Sequence, residues 1–210
     1  MSPDWHKHVM WSDESYICLS DKGGDSYVTR RPNEENSDPC IVPTIKQSPI
    51  RVMVWALIAY DYKSPLVVLE YKGGKKGGMD ADKYIDQVVE PHVWNCYCDL
   101  TDKRGHMYFM HDNAPSHTST KTKKALAEIA LPQMMHPANS PDLNPIENLW
   151  AVLKARIQGR ERHPNSIAEL TAAAKEEWEK IDETTVNKYV DTMPERYKAL
   201  KAQKGHHIPY

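Results

Sequence analysis

No stretch of these 210 residues stays apolar for the roughly 20 residues that a membrane-crossing helix needs, and the opening MSPDWHKH lacks the apolar core of a secretory signal. Both absences point to an intracellular protein. Neither charge is in excess: 27 Lys and Arg stand against 29 Asp and Glu, for a net charge of −2. That balance argues against a uniformly basic, nucleic-acid-coating surface. The four cysteines, Cys18, Cys40, Cys96 and Cys98, include no paired C-x-x-C spacing, so a zinc module is not indicated and reduced thiols are expected. Internal repeats and low-complexity tails are also missing. What remains is ordinary for a globular domain, with 40% hydrophobic and 27% charged residues in a length that suits one large core.

The chain is organised around His106 to Trp150. Met107, Tyr108, Phe109 and Met110 form a short apolar run, the pattern of a buried strand, and Asn113, Ala114, Pro115 and Ser116 supply a turn and a helix start. Asp112 therefore ends a buried strand. Further on, Pro137, Pro141 and Pro145 keep the chain extended until Asn144 can cap a helix with Pro145 at its first position. Ile146, Leu149, Trp150, Leu153 and Ile157 then recur at helical spacing, which leaves Glu147 at the margin of the buried face. Thirty-four residues separate Asp112 from Glu147. A third carboxylate, Asp13, lies in the strand-like VMWSDESYICL, and its neighbour Glu14 should point to the opposite face. Three carboxylates from two strands and a helix start can converge on hard cations, whose preferred ligands are oxygens.

Each carboxylate also has a plain structural reading. Asp112 could accept backbone hydrogen bonds at the turn that follows it, and Glu147 could be the capping partner of Asn144. The wider pattern favours chemistry. The motifs WSDES, HDNAPSHTS and SPDLNPIENLW, in this order and at this spacing, resemble the catalytic domain of Tc/mariner-type transposases of the DDE group. The resemblance continues through YVTRRPNEENSDPCIVPTIK, VMVWALI and MPERYKALKAQKGHHIPY, and so covers essentially the whole chain. It departs in two ways: the glycine-rich run usual before the VMVW strand is replaced by Gln47 to Arg51, and the usual N-terminal helix-turn-helix DNA reader is not among these residues.

The resemblance implies an α/β fold of the ribonuclease H-like (retroviral-integrase-like) type, a mixed central sheet flanked by helices, with residues 1–210 as a single catalytic domain. It implies Asp13, Asp112 and Glu147 as catalytic residues and metal ligands, two Mg²⁺ or Mn²⁺ ions, and cleavage and transfer of DNA strands. Partners would be transposon ends and TA-containing target DNA, with a homodimer assembled on the DNA in the nucleus and no membrane. Two other functions stay open: a domesticated, non-catalytic DNA- or protein-binding module, and a ribonuclease H-like nuclease acting on hybrids.

Elsewhere the pattern predicts a hairpin around Asp21 to Thr29, a long excursion over Arg30 to Pro49 with four prolines, and a lysine-glycine loop over Lys72 to Gly78. The excursion is expected to project from the sheet and to touch a second protomer or its DNA. Strands are expected at Arg51 to Ala59, Leu66 to Glu70 and Pro132 to Met135. Helices are expected from Asp80, bent or interrupted at Pro91, and over Ser116 to Ile129, Ile167 to Ile181 and Thr184 to Val190. Among the basic clusters, Lys154 is singled out because, seven residues after Glu147, it returns to the same helix face. Arg156, Lys121 and His117 complete the expected DNA contacts.

Overall fold

The computed structural model describes residues 3–19, 50–70, 78–137 and 140–203. The hairpin, the long excursion and nearly all of the lysine-glycine loop lie outside the described residues.

Strand β1 (Val9–Cys18) pairs antiparallel with β2 (Arg51–Ala59) on one side and parallel with β5 (Tyr108–Met110) on the other. The two-residue β3 (Tyr62–Lys63) and β4 (Val67–Leu69) both pair with β2, completing a mixed five-stranded sheet. Alternation along the strands divides the core into two layers. Val9, Trp11, Val54, Ala56 and Met110 point to one face, and Met10, Trp55, Leu57 and Phe109 to the other. Trp55 and Trp150 are both buried.

The first face is covered by α5 (Ile146–Gln158), α6 (Ile167–Glu179), α7 (Glu183–Val190) and α8 (Met193–Ala202). Burying each large apolar side chain along α5 contributes about 1.5–3 kcal/mol, which anchors the helix while its polar margin faces a cleft. The opposite face is covered by α1 (Ala81–Tyr84), a π-helical stretch over Ile85–Val93, α2 (Trp94–Arg104) and α4 (Thr120–Glu128).

Three expectations change. Pro91 does not interrupt its helix: it sits inside the π-helical turns, where the wider register accommodates a residue without an N–H, and α2 continues beyond it. The helix expected over Ser116 to Ile129 is two, α3 (Pro115–Thr118) and α4, because Ser119 is extended and its hydroxyl caps α4 by accepting from the Thr122 N–H. The strand expected at Pro132 to Met135 is reduced to a single bridge between Gln133 and Phe109.

Candidate active site

The register of the sheet brings the first two carboxylates together. Trp11 of β1 lies opposite Met110 of β5 in the parallel pair, so two residues further on each chain Asp13 and Asp112 are carried to the same end of the sheet, where both line one cavity. Asp112 lies two residues past the end of β5, in a loop.

The third carboxylate is set by the proline loop. Pro141–Leu143 forms a short 3-10 turn, after which the Asn144 carbonyl accepts from the Glu147 N–H at 3.3 Å and its side-chain oxygen accepts from the Ile146 N–H at 3.4 Å. Helix α5 thus begins one residue later than expected, with Pro145 at its cap position and Asn144 still serving the exposed N–H groups. The Asn144 amide donates to the Ser12 carbonyl at 3.1 Å, tying the loop to β1. One turn after Glu147, the Trp150 indole N–H donates to Asp13 Oδ2 at 3.0 Å. Asp13, Asp112 and Glu147 consequently line one cavity of about 360 Å³, with Asn113, His136 and Asn144 among its other walls.

Within this cavity Asp13 and Glu147 are close enough for each to shift the titration of the other. Burial, the Glu147 charge and the Glu14 charge push the Asp13 carboxyl well above the usual range, and burial raises Glu147 against the opposing pull of Lys154. Asp112 is different. Its Oδ1 lies 2.6 Å from His117 Nδ1 and accepts from the Ala114 N–H at 2.9 Å, and its carboxyl is lowered, chiefly by the His117 contact. Among the described residues, no three His, Cys, Asp or Glu side chains are already grouped closely around one ion position. The donor set nevertheless suits a hard cation: two crowded carboxyls whose ionised forms are disfavoured for want of positive charge, and a third whose Oδ2 has no partner among the described residues.

A pH dependence follows. Relative to ordinary values of 3.8 and 4.5, Asp13 and Glu147 bind protons more tightly in the folded chain than in the unfolded one. The stability this confers is complete below the unfolded values and is lost as pH rises through the folded ones. In chelator, the melting temperature should therefore fall as pH rises from about 4 through the acid-to-neutral range, and Asp13→Asn should flatten that fall. A melting temperature that climbs over the same range in the parent protein would contradict the crowding.

The expected DNA contacts are scattered. Lys154 reaches back toward Glu147, near enough for its charge to be felt there. Arg156 points to α6, where its guanidinium meets the Glu177 carbonyl at 3.5 Å, and Lys121 pairs with Asp82 on the exposed side of α4 and α1. His117 must be reassigned. Its ring is 3% exposed and both nitrogens face carboxylates, Asp112 on one side and Glu14 Oε1 at 3.5 Å on the other, so it has nothing left for a phosphate. Glu14 does turn to the face opposite Asp13, as alternation requires. The signal for their pairing was available in the sequence: a carboxylate on the inner face of a strand needs a counter-charge, and the HDNAPSH segment supplies histidines.

Comparison with known proteins agrees with this architecture. Residues 8–171 match the DDE superfamily endonuclease family. The Tc1 transposase of Caenorhabditis elegans is 30% identical over 210 residues, covering 99% of this chain and 71% of the relative. The Tcb1 transposase of Caenorhabditis briggsae is 29% identical over 209 residues, with the same coverage of 99% and 71%. Among solved structures, the Mos1 mariner transposase catalytic domain superposes with a TM-score of 0.70 at 18% identity, covering 99% of this chain and 87% of that one. The same domain has been solved with raltegravir and Mg, at a TM-score of 0.70 and 19% identity, covering 99% and 88%. At such identities these structures speak for the fold, which is the expected ribonuclease H-like one. The family match and the Tc1 relationship go further: this chain belongs to the Tc/mariner-type transposases of the DDE superfamily endonucleases.

Proposed function

We propose that Asp13, Asp112 and Glu147 together bind two divalent ions, Mg²⁺ or Mn²⁺, and that this cavity is where the protein cleaves and transfers DNA strands. The observation that carries the reading is the shared cavity, built from a strand, a post-strand loop and a helix start, in which the three carboxyls meet. The Mos1 catalytic domain solved with Mg and with Mn supports the choice of metals. Bound ions would activate the attacking oxygen and neutralise charge at the scissile phosphate and its leaving oxygen.

The chain's own residues do the rest. The Trp150 N–H fixes Asp13 Oδ2, the Asn144 amide holds the α5 entry against β1, and Lys154 extends positive charge along the cavity rim where a DNA backbone would run. The 210 residues act as one catalytic unit in the nucleus, on transposon ends and TA-containing targets. A Mos1 paired-end complex with the left transposon end, at a TM-score of 0.69 and 22% identity over 99% of this chain and 58% of that one, supports a pair of protomers on DNA.

The test is strand nicking of duplex DNA and of an RNA–DNA hybrid in Mn²⁺, Mg²⁺ or chelator. DNA nicking that leaves 3′-hydroxyl ends and disappears in chelator is expected. Metal-independent nicking, or attack confined to the RNA strand of the hybrid, would overturn the reading. Lys154→Ala should weaken DNA binding evenly across sequences and lower the salt slope by about 1, as for loss of one phosphate contact. An unchanged slope would remove Lys154 from the DNA path.

A further inference from the structure

We propose that the buried pair Glu14 and His117 positions Asp112 for metal binding, with His117 holding one oxygen of that carboxylate from behind and leaving the other to the cation. The inference rests on the reading of Asp13, Asp112 and Glu147 as the ion-binding set.

Asp112 needs such a device. It lies past the end of β5, without a strand neighbour of its own, and as an exposed side chain it would otherwise rotate freely. Its Oδ1 accepts from the Ala114 N–H at 2.9 Å and lies 2.6 Å from His117 Nδ1, which also approaches the Asp112 backbone carbonyl at 3.3 Å, whereas among the described residues no donor reaches Oδ2. The carboxylate is thereby turned edge-on, one oxygen engaged with the protein and one available to the cavity.

His117 is itself immobilised. Its ring packs against Tyr84, with centroids 4.1 Å apart, and stacks on His111 at 4.8 Å and 10°. His111 is fixed in turn by the Tyr84 hydroxyl at 3.2 Å from its Nδ1. The second nitrogen of His117 meets Glu14 Oε1 at 3.5 Å, and the Glu14 side chain is only 11% exposed. Each ring nitrogen lies beside a carboxylate oxygen, so turning the ring over would put carbon where a nitrogen now meets oxygen.

Strand β1 therefore serves the site from both faces. Asp13 enters the cavity directly, while Glu14, one residue later on the opposite face, orients the histidine that orients Asp112. Outer-shell partners of this kind typically contribute about 10- to 100-fold in metal affinity.

The test is the affinity of the 210-residue chain for Mn²⁺, read by electron paramagnetic resonance and by calorimetry at one fixed pH, with thermal melts to confirm folding. His117→Leu, which keeps bulk but removes both donors, should weaken Mn²⁺ binding by about 10- to 100-fold, toward the level of Asp112→Asn. His117→Asn returns an N–H near the Nδ1 position and should restore most of the affinity. A merely structural histidine would not give that rescue. Glu14→Gln should weaken Mn²⁺ several-fold in the parent and add nothing to His117→Leu, because the two act through one contact. If Asp112→Asn weakens Mn²⁺ while His117→Leu and Glu14→Gln both leave it unchanged, the positioning role is overturned. Should His117→Leu fail to fold, His117→Asn and Glu14→Gln decide alone: unchanged affinity in Glu14→Gln rejects the pair. If Asp112→Asn itself has no effect on Mn²⁺, the ion-site reading fails instead.

Discussion

Asp13→Asn, Asp112→Asn and Glu147→Gln should each lower metal-dependent DNA strand cleavage by at least about a thousandfold while leaving the protein folded. The magnitude follows from the charge stabilisation of several kcal/mol that bound ions supply, since each ~1.4 kcal/mol is tenfold in rate. The amides are chosen because they separate chemistry from scaffolding. Asp112 also accepts the Ala114 N–H through Oδ1, so alanine would remove a turn contact together with a ligand, whereas asparagine keeps the acceptor and removes only the charge. Glu147 lies in the first turn of α5, where its side chain makes no capping hydrogen bond, so glutamine leaves the helix start intact. Asp13→Asn replaces a carboxyl whose ionisation is disfavoured by burial and by Glu147 and Glu14, and the metal-free melting temperature should stay level or rise. Full-rate cleavage in any one amide variant would take that residue out of the ion-binding set. A collapse of the melt in all three would return them to a structural role.

The parts of this protein that could be read from sequence are those governed by a local period. Alternation in WSDES fixes Asp13 and Glu14 on opposite faces, and the 3.6-residue spacing from Ile146 to Ile157 fixes the buried side of α5 and hence the margin on which Glu147 and Lys154 lie. Punctuation was legible too, since SPDLNP marks the entry to α5 through its prolines and Asn144. The parts that escaped depend on partners distant in the chain. Ser119 breaks an otherwise helical run so that His117 turns inward beneath Asp112, and that geometry has value only because Glu14 waits on β1 some hundred residues earlier. Pro91 reads as a breaker, yet the valines around it pack so well against the sheet that the backbone widens to a π-helical register instead of stopping. The C-terminal part from about residue 145 reads as helical, but α8 was not delimited within it, because its first turn buries an arginine, Arg196, which pattern reasoning assigns to solvent.

That arginine sets the second large expectation: Arg196→Met should destabilise the protein by about 2–6 kcal/mol, the cost of leaving two buried acceptors without their donors. Arg196 is 2% exposed. Its Nε donates to Thr192 Oγ1 at 2.8 Å, one terminal nitrogen donates to the Asp142 carbonyl at 2.9 Å, and the other meets the side-chain oxygen of Asn148. Asp142 belongs to the 3-10 turn before α5, and Asn148 follows Glu147 directly, so a single guanidinium clamps the loop and the helix start that present the third carboxylate. Methionine fills similar volume but leaves a carbonyl and an amide oxygen without their donors, each costing about 1–3 kcal/mol where water is excluded. For a chain of this size each kcal/mol shifts the melting temperature by about 2–4 °C, so a drop of about 10 °C is expected. At temperatures well below that melt, cleavage should still fall by about tenfold or more, because a displacement of Glu147 of about an ångström already spoils the geometry of the site. Arg196→Lys keeps the charge but cannot span two acceptors with one ammonium group, and should fall between methionine and the parent in both measurements. Parent-like melting in Arg196→Met would show that the clamp carries no stability. A lowered melt with full cleavage activity in the cold would confine Arg196 to holding α8 in place and separate it from Glu147.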